Sequence, residues 1–116
     1  MTTVESAVRY QGGTAVVDLP AQIDSTAEHA INDAYAAAAA HGSKTVLLNF
    51  GGVEFLSSTG IALIVGILAR ARKDGRLITA SGLSDHYKEI FEITRLADFM
   101  TIFADETSAL KAGGER

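Results

Sequence analysis

From residue 45 onward, apolar positions alternate between short runs and helical repeats. Residues 45–50 read Thr-Val-Leu-Leu-Asn-Phe, a near-continuous apolar run that suits a strand covered on both faces. Gly51-Gly52 breaks it, and Val53-Glu54-Phe55-Leu56 leads into Ser57-Ser58-Thr59-Gly60. Beyond that point Ile61, Leu63, Ile64, Val65, Leu68 and Ala71 follow helical spacing, which predicts a helix from near Ser58 to Gly75. Its last turn holds Arg70, Arg72 and Lys73, cations that complement the negative end of a helix dipole. Residues 77–80 then read as a strand, and Ser84 or Asp85 opens a helix through Ile93, with Asp85 taken as its cap. Residues 100–103 form a last strand, after which Asp105 caps a short final helix.

The first part of the chain has the same grammar. Residues 4–10 alternate weakly, Gln11-Gly12-Gly13 supplies a turn, and residues 14–19 return as a second strand, together predicting a hairpin. Pro20 stops that strand, and Asp24 or Ser25 caps a helix reaching His41. Ile31, Ala34, Tyr35 and Ala38 mark its buried face, Glu28, Asn32 and Asp33 lie largely opposite, and Gly42 ends it. The pattern predicts an α/β domain over residues 1–112 with a flexible tail at 113–116. Its mixed sheet has about five strands, and about four helices pack mainly on one face.

Composition narrows the function. The chain has 116 residues, the length of one compact domain, and is 47% apolar and 21% charged, enough for a core without staples. Cysteine is absent, which removes disulfides, thiolate metal sites and cysteine nucleophiles from the inventory and permits a reducing compartment. The first residues lack the basic and apolar regions of a secretory signal, so a cytoplasmic protein is expected. The longest apolar stretch, 61–71, contains Gly66 and Arg70 and is far shorter than a membrane span, so membrane insertion is not expected. A formal net charge of −4 disfavours direct binding to nucleic acid, which depends on clustered cations.

Few groups offer chemistry. Gly51 to Gly60 lacks the Gly-Lys-Ser/Thr ending of a nucleotide-binding loop, and no Gly-x-Ser-x-Gly elbow surrounds Ser57 or Ser58. His29, His41 and His86 lack His-x-x-x-His spacing, and Asp85 and His86 point apart on a helix. No catalytic residue, metal site or cofactor is predicted. Ser57-Ser58-Thr59-Gly60 differs because its hydroxyls sit at a helix start, where backbone N–H groups lack partners. Ordinary capping accounts for such residues. An exposed serine there can also carry a phosphate, which adds about −1.5 to −2 charges at a helix end that tolerates them. Against an acidic or apolar partner surface the same group would weaken binding.

Three stretches carry a resemblance. Residues 46–61, Val-Leu-Leu-Asn-Phe-Gly-Gly-Val-Glu-Phe-Leu-Ser-Ser-Thr-Gly-Ile, are the most specific of them. Ala21-Gln22-Ile23-Asp24-Ser25-Thr26-Ala27 is similar to a Gly-Glu-Leu-Asp-x-x-Thr-Ala segment, and Gly75-Arg76-Leu77 with Phe91-Glu92-Ile93-Thr94-Arg95-Leu96 continues the pattern. Together they resemble the STAS domain family, specifically the bacterial anti-sigma factor antagonists. The resemblance implies a non-enzymatic, phosphorylation-switched binding protein with Ser58 as phosphoacceptor. Its implied partner is a GHKL-type serine kinase that doubles as an anti-sigma factor, and a serine phosphatase resets the switch. The unphosphorylated antagonist binds that partner and so frees a sigma factor. Asp24, Ser25, Ser57, Ser58, Thr59, Gly60 and Ile61 are the implied partner-binding residues. Two positions depart from the family's pattern. Ser57 stands where an aspartate commonly precedes the acceptor, which makes it a competing acceptor, and Ala21-Gln22 replaces Gly-Glu. A STAS module with another output, such as a lipid-transport subunit or an unphosphorylated scaffold, would share the fold.

Overall fold

The computed structural model describes residues 7–114. Residues 4–6 of the expected first strand, and residues 115–116 of the expected tail, lie outside the described residues. Strand β1 (Ala7–Gln11) turns at Gly12, whose φ is 60°, and pairs antiparallel with β2 (Thr14–Asp18). Helix α1 (Glu28–His41) leads to β4 (Thr45–Asn49), α2 (Ser58–Asp74) to β6 (Leu77–Ser81), and α3 (Asp85–Ile93) to β7 (Thr101–Phe103). The main sheet has the order β1-β2-β4-β6-β7, and every pair after the first is parallel. This is the mixed five-stranded sheet expected.

Side-chain alternation explains the unbroken apolar run of the central strands. Ala15, Val17, Val46, Leu48, Ile78 and Ala80 face the main core, where they meet Ile31, Tyr35 and Ala38 of α1 and Ile64, Ile67 and Ala71 of α2. Phe91 of α3 closes that layer, its ring edge-on to Phe50 at 5.7 Å. Val16 and Leu47 point the other way and are covered by Ala109 of α4 (Glu106–Gly114) with Phe103 and Leu110. Three helices therefore cover one face and α4 the other. Burial on both faces leaves no position for polar residues in the middle of β2 or β4.

The ends of the helices follow local chemistry. Gly75 closes α2 at φ 76°, a left-handed conformation that suits glycine. Arg76 then donates to the carbonyls of Ser43 at 2.9 Å and Ala39 at 3.0 Å, tying the end of α2 to the end of α1.

Some expectations need correction. Ser84, not Asp85, caps α3: its hydroxyl accepts from the Tyr87 amide at 3.3 Å, and Asp85 is the first helical residue. A 3-10 turn (Ser25–Ala27) precedes α1, and Asp24 caps that turn instead of the helix. Helix α4 continues through Gly114, so it takes in the first two residues of the expected tail. A separate ladder also forms, in which β3 (Gln22–Ile23) pairs parallel with β5 (Phe55–Leu56). Among the described residues no helix is long and apolar enough to cross a membrane.

On the α4 side, Arg9 donates two bonds to Asp18, both 2.7 Å, and two to Glu106, at 2.9 and 2.7 Å. One guanidinium thus joins both strands of the hairpin to the final helix. Asn49 donates to the same Asp18 at 2.7 Å. These bonds hold the Asp18 and Glu106 carboxyls below their ordinary pKa values, Arg9 being the first cause in each case.

Candidate functional site

The small β3–β5 ladder assembles the site. Ile23 lies opposite Leu56, so Asp24 and Ser57 follow side by side where both strands end. The Glu54 and Phe55 amides both donate to the Ala21 carbonyl, at 2.7 and 3.0 Å, and the Ser57 amide donates to Ile23 O at 3.0 Å. From α3, the Tyr87 hydroxyl accepts from the Leu56 amide at 3.0 Å. The four residues before α2 are thus held by backbone bonds to a segment more than thirty positions earlier and by one side chain from a third element.

The two serines have different environments. Ser57 has extended backbone and caps α2, its Oγ accepting from the Gly60 amide at 3.0 Å and donating to Ile23 O at 3.3 Å. Ser58 is the first residue of the helix and is exposed. Its hydroxyl makes no hydrogen bond among the described residues. With the Gly60 amide taken by Ser57 Oγ and the Ile61 amide by Ser57 O, the amides of Ser58 and Thr59 are the ones at this end without a helical acceptor.

Gly60 is buried, and space requires a glycine there. A Cβ would overlap the Ile23 carbonyl oxygen and come within 2.9 Å of Leu56 Cδ1. Only a bare α-carbon lets the first turn of α2 lie against β3. Thr59 is exposed, whereas Ile61 is half-buried and packs on the main core, so its side chain supports the helix more than it offers a surface. Ser25 is exposed beside Asp24. Asp24 accepts from both the hydroxyl and the amide of Thr26, at 2.5 and 2.9 Å. These bonds, the hydroxyl's first, lower its pKa and keep it a carboxylate.

The expected residues are therefore brought together, except that Ile61 turns inward. Glu54, just before β5, and Phe55, its first residue, are exposed close to Ser57 and join them. They were not named individually from sequence, because a two-residue strand has no periodicity to reveal which side chain faces out. Neither segment 21–28 nor segment 51–61 contains Lys or Arg, while Asp24, Glu28 and Glu54 lie within them. A phosphate at Ser58 would find no cation from these segments to neutralise it. The arrangement offers an exposed hydroxyl on a rigid helix start.

The sequence family described as "Mlab, STAS domain" matches residues 6–103. An anti-sigma-B factor antagonist from Staphylococcus aureus (strain NCTC 8325 / PS 47) is 33% identical over 61 residues, 53% of this chain and 56% of the relative. The chain thus spans about half the length of the curated relatives it matches. An anti-sigma-factor antagonist (STAS) domain protein from Planctomyces limnophilus has a similar structure, with TM-score 0.80 and 22% identity, covering 96% of this chain and 98% of the other. The phosphorylated form of SpoIIAA, a Bacillus cell fate determinant, gives TM-score 0.72 and 21% identity over 92% and 97% of the two chains. At these identities the structural likeness is one of fold.

Proposed function

The chain belongs to the STAS domain family, and from that premise we propose that it is an anti-sigma factor antagonist switched by phosphorylation of Ser58. In the unphosphorylated state it binds a serine kinase that is also an anti-sigma factor, of the GHKL type, and thereby frees a sigma factor. The kinase phosphorylates Ser58 and loses its grip on the product; a serine phosphatase restores the binding form. The domain itself catalyses nothing, and the exchange takes place in the cytoplasm with the sigma factor.

The observation that carries this reading is the contrast between the two serines: Ser58 Oγ is exposed and unbonded, while Ser57 Oγ is engaged with Gly60 and Ile23. A kinase can take the first without dismantling the helix start. Modifying the second would remove the cap. The phosphate adds about −1.5 to −2 charges at pH 7, and the free amides of the helix N-terminus accommodate it. Its charge then adds to those of Asp24 and Glu54 on the same surface. A partner that accepts the neutral surface meets repulsion and the cost of desolvating a phosphate, and each 1.4 kcal/mol lost is about a tenfold loss of affinity. Partner contact is assigned to Asp24, Ser25, Ser57, Ser58 and Thr59, with Gly60 and Ile61 holding the helix beneath them.

The test is incubation with the cognate kinase and ATP, followed by mass spectrometry of the site and measurement of binding. Modification at Ser58 with loss of affinity supports the switch. A chain that binds transport components in place of a kinase would favour the other STAS outputs.

A further inference from the structure

A groove opens beside the second half of α2, where β6 begins before β7 does. Pairing of these strands starts at Thr79 with Thr101, so Leu77 and Ile78 precede the ladder. A second 3-10 turn (Leu96–Asp98) and Phe99 form the facing wall, enclosing a groove of about 710 Å³. Leu77, Phe99 and Val65 line it and are 66%, 57% and 44% exposed. Single exposed apolar side chains are ordinary, but three around one groove call for an occupant.

Charge and shape indicate which. Of the charged groups lining the groove, Arg76 is occupied by Ser43 O, Ala39 O and Asp74. Asp98 is paired with Arg95 at 2.7 Å. Arg72 has no ionic partner among the described residues, so the lip is cationic although the chain carries net −4. Along α2, Val65, Ala69 and Arg72 are exposed at helical spacing and form one stripe, with Gly66 also exposed beside it. Small residues there allow another helix axis to approach to roughly 8 Å.

We infer that this groove is a second docking site, which takes an acidic amphipathic helix of a partner protein, laid antiparallel to α2. Its apolar stripe rests on Val65, Leu77 and Phe99, and acidic residues of its first turn meet Arg72. Antiparallel packing also sets opposite helix dipole ends together. Ser58 and Arg72 lie fourteen residues apart on α2, about 21 Å along the axis at 1.5 Å per residue. That is more than twice the screening length of about 8 Å at physiological salt. The site therefore acts independently of Ser58 and lets one chain hold two partners.

The test is an NMR titration of the chain with a side-chain-stapled amphipathic helical peptide of about 12 residues, about 18 Å long and so too short to reach from Arg72 to Ser58, the staple holding a helix that would be marginal on its own. It carries leucines on one face and glutamates in its first turn; a peptide with lysines there is the control. Saturable shifts centred on Val65, Ala69, Arg72, Leu77 and Phe99 are expected, with the control about tenfold weaker, the change expected for a reversed charge pair. Ala69→Glu, checked for folding by circular dichroism, abolishes the shifts yet leaves phosphorylation at Ser58 intact. Ser58→Asp leaves peptide affinity within about twofold, as screening requires. Absence of saturable shifts, equal affinity for the control, perturbations centred on Ser58, or self-association filling the groove would each overturn the inference without touching the phosphorylation switch.

Discussion

Gly60 and Ile23 meet backbone to backbone: the α-carbon of the third residue of α2 lies against the Ile23 carbonyl, leaving no room for a methyl group. Neither party is the end of a flexible side chain, so the clash has no cheap relief. Gly60→Ala is expected to lower unfolding free energy by about 2 kcal/mol or more, the range of overpacked sites. Urea denaturation measures it. Stability at or above the wild type would mean that the helix start can shift away from β3.

The serine pair should separate stability from modification. Ser57→Ala removes the acceptor of the Gly60 amide and should cost about 1 kcal/mol, as other lost caps do. Ser58→Ala breaks no hydrogen bond and should stay within about 0.5 kcal/mol of wild type. Thermal unfolding of both variants checks the order. A larger loss at Ser58 would reverse the assignment of the cap.

Tyr87→Phe should loosen β5 without opening the core. Its hydroxyl accepts from the Leu56 amide, and loss of such an acceptor costs about 1 kcal/mol. Hydrogen exchange at Leu56 should quicken while the amides of β4 keep their protection. Unchanged exchange would remove α3 from the support of the site.

The clamp at Arg9 sets an acid dependence. Asp18 and Glu106 have lowered pKa values in the folded chain, with Arg9 the leading cause. A depressed carboxylate contributes stability that is present above its unfolded pKa, near 4, and is lost as pH falls through the folded value. Stability should therefore fall from about pH 4 downward, and Arg9→Met should flatten that fall. Arg9 itself is driven further upward and does not titrate in this range. Urea midpoints of both chains between pH 2 and pH 6 test this; parallel curves would contradict it.

Much of the fold was legible because local signals agreed with tertiary packing. Gly42 and Gly75 end their helices in left-handed conformations, and the apolar run at residues 45–50 is buried on both faces. The β3–β5 ladder was not legible, since two-residue strands joined across more than thirty positions carry no repeat. Sequence left Ser57 a competing acceptor beside Ser58, because it stands where an aspartate commonly precedes the acceptor, and it did not say which of the two hydroxyls caps α2. What separates them is the register of the first turn, which the Ser57 bonds to Gly60 and Ile23 fix. The same one-residue ambiguity misplaced the cap of α3 at Asp85. The clamp joining Arg9 to Asp18 and Glu106 was hidden because its third member lies 97 positions away.

The most direct test of the central proposal compares wild type, Ser57→Ala and Ser58→Ala after incubation with the cognate kinase and ATP, with phosphosite mapping and partner affinity measured on each. One phosphoryl group on Ser58 in the wild type and in Ser57→Ala, none in Ser58→Ala, and weaker partner binding only where the group is attached are expected. Phosphorylation that persists in Ser58→Ala, or a modified chain that binds its partner as tightly as the unmodified one, would contradict the account.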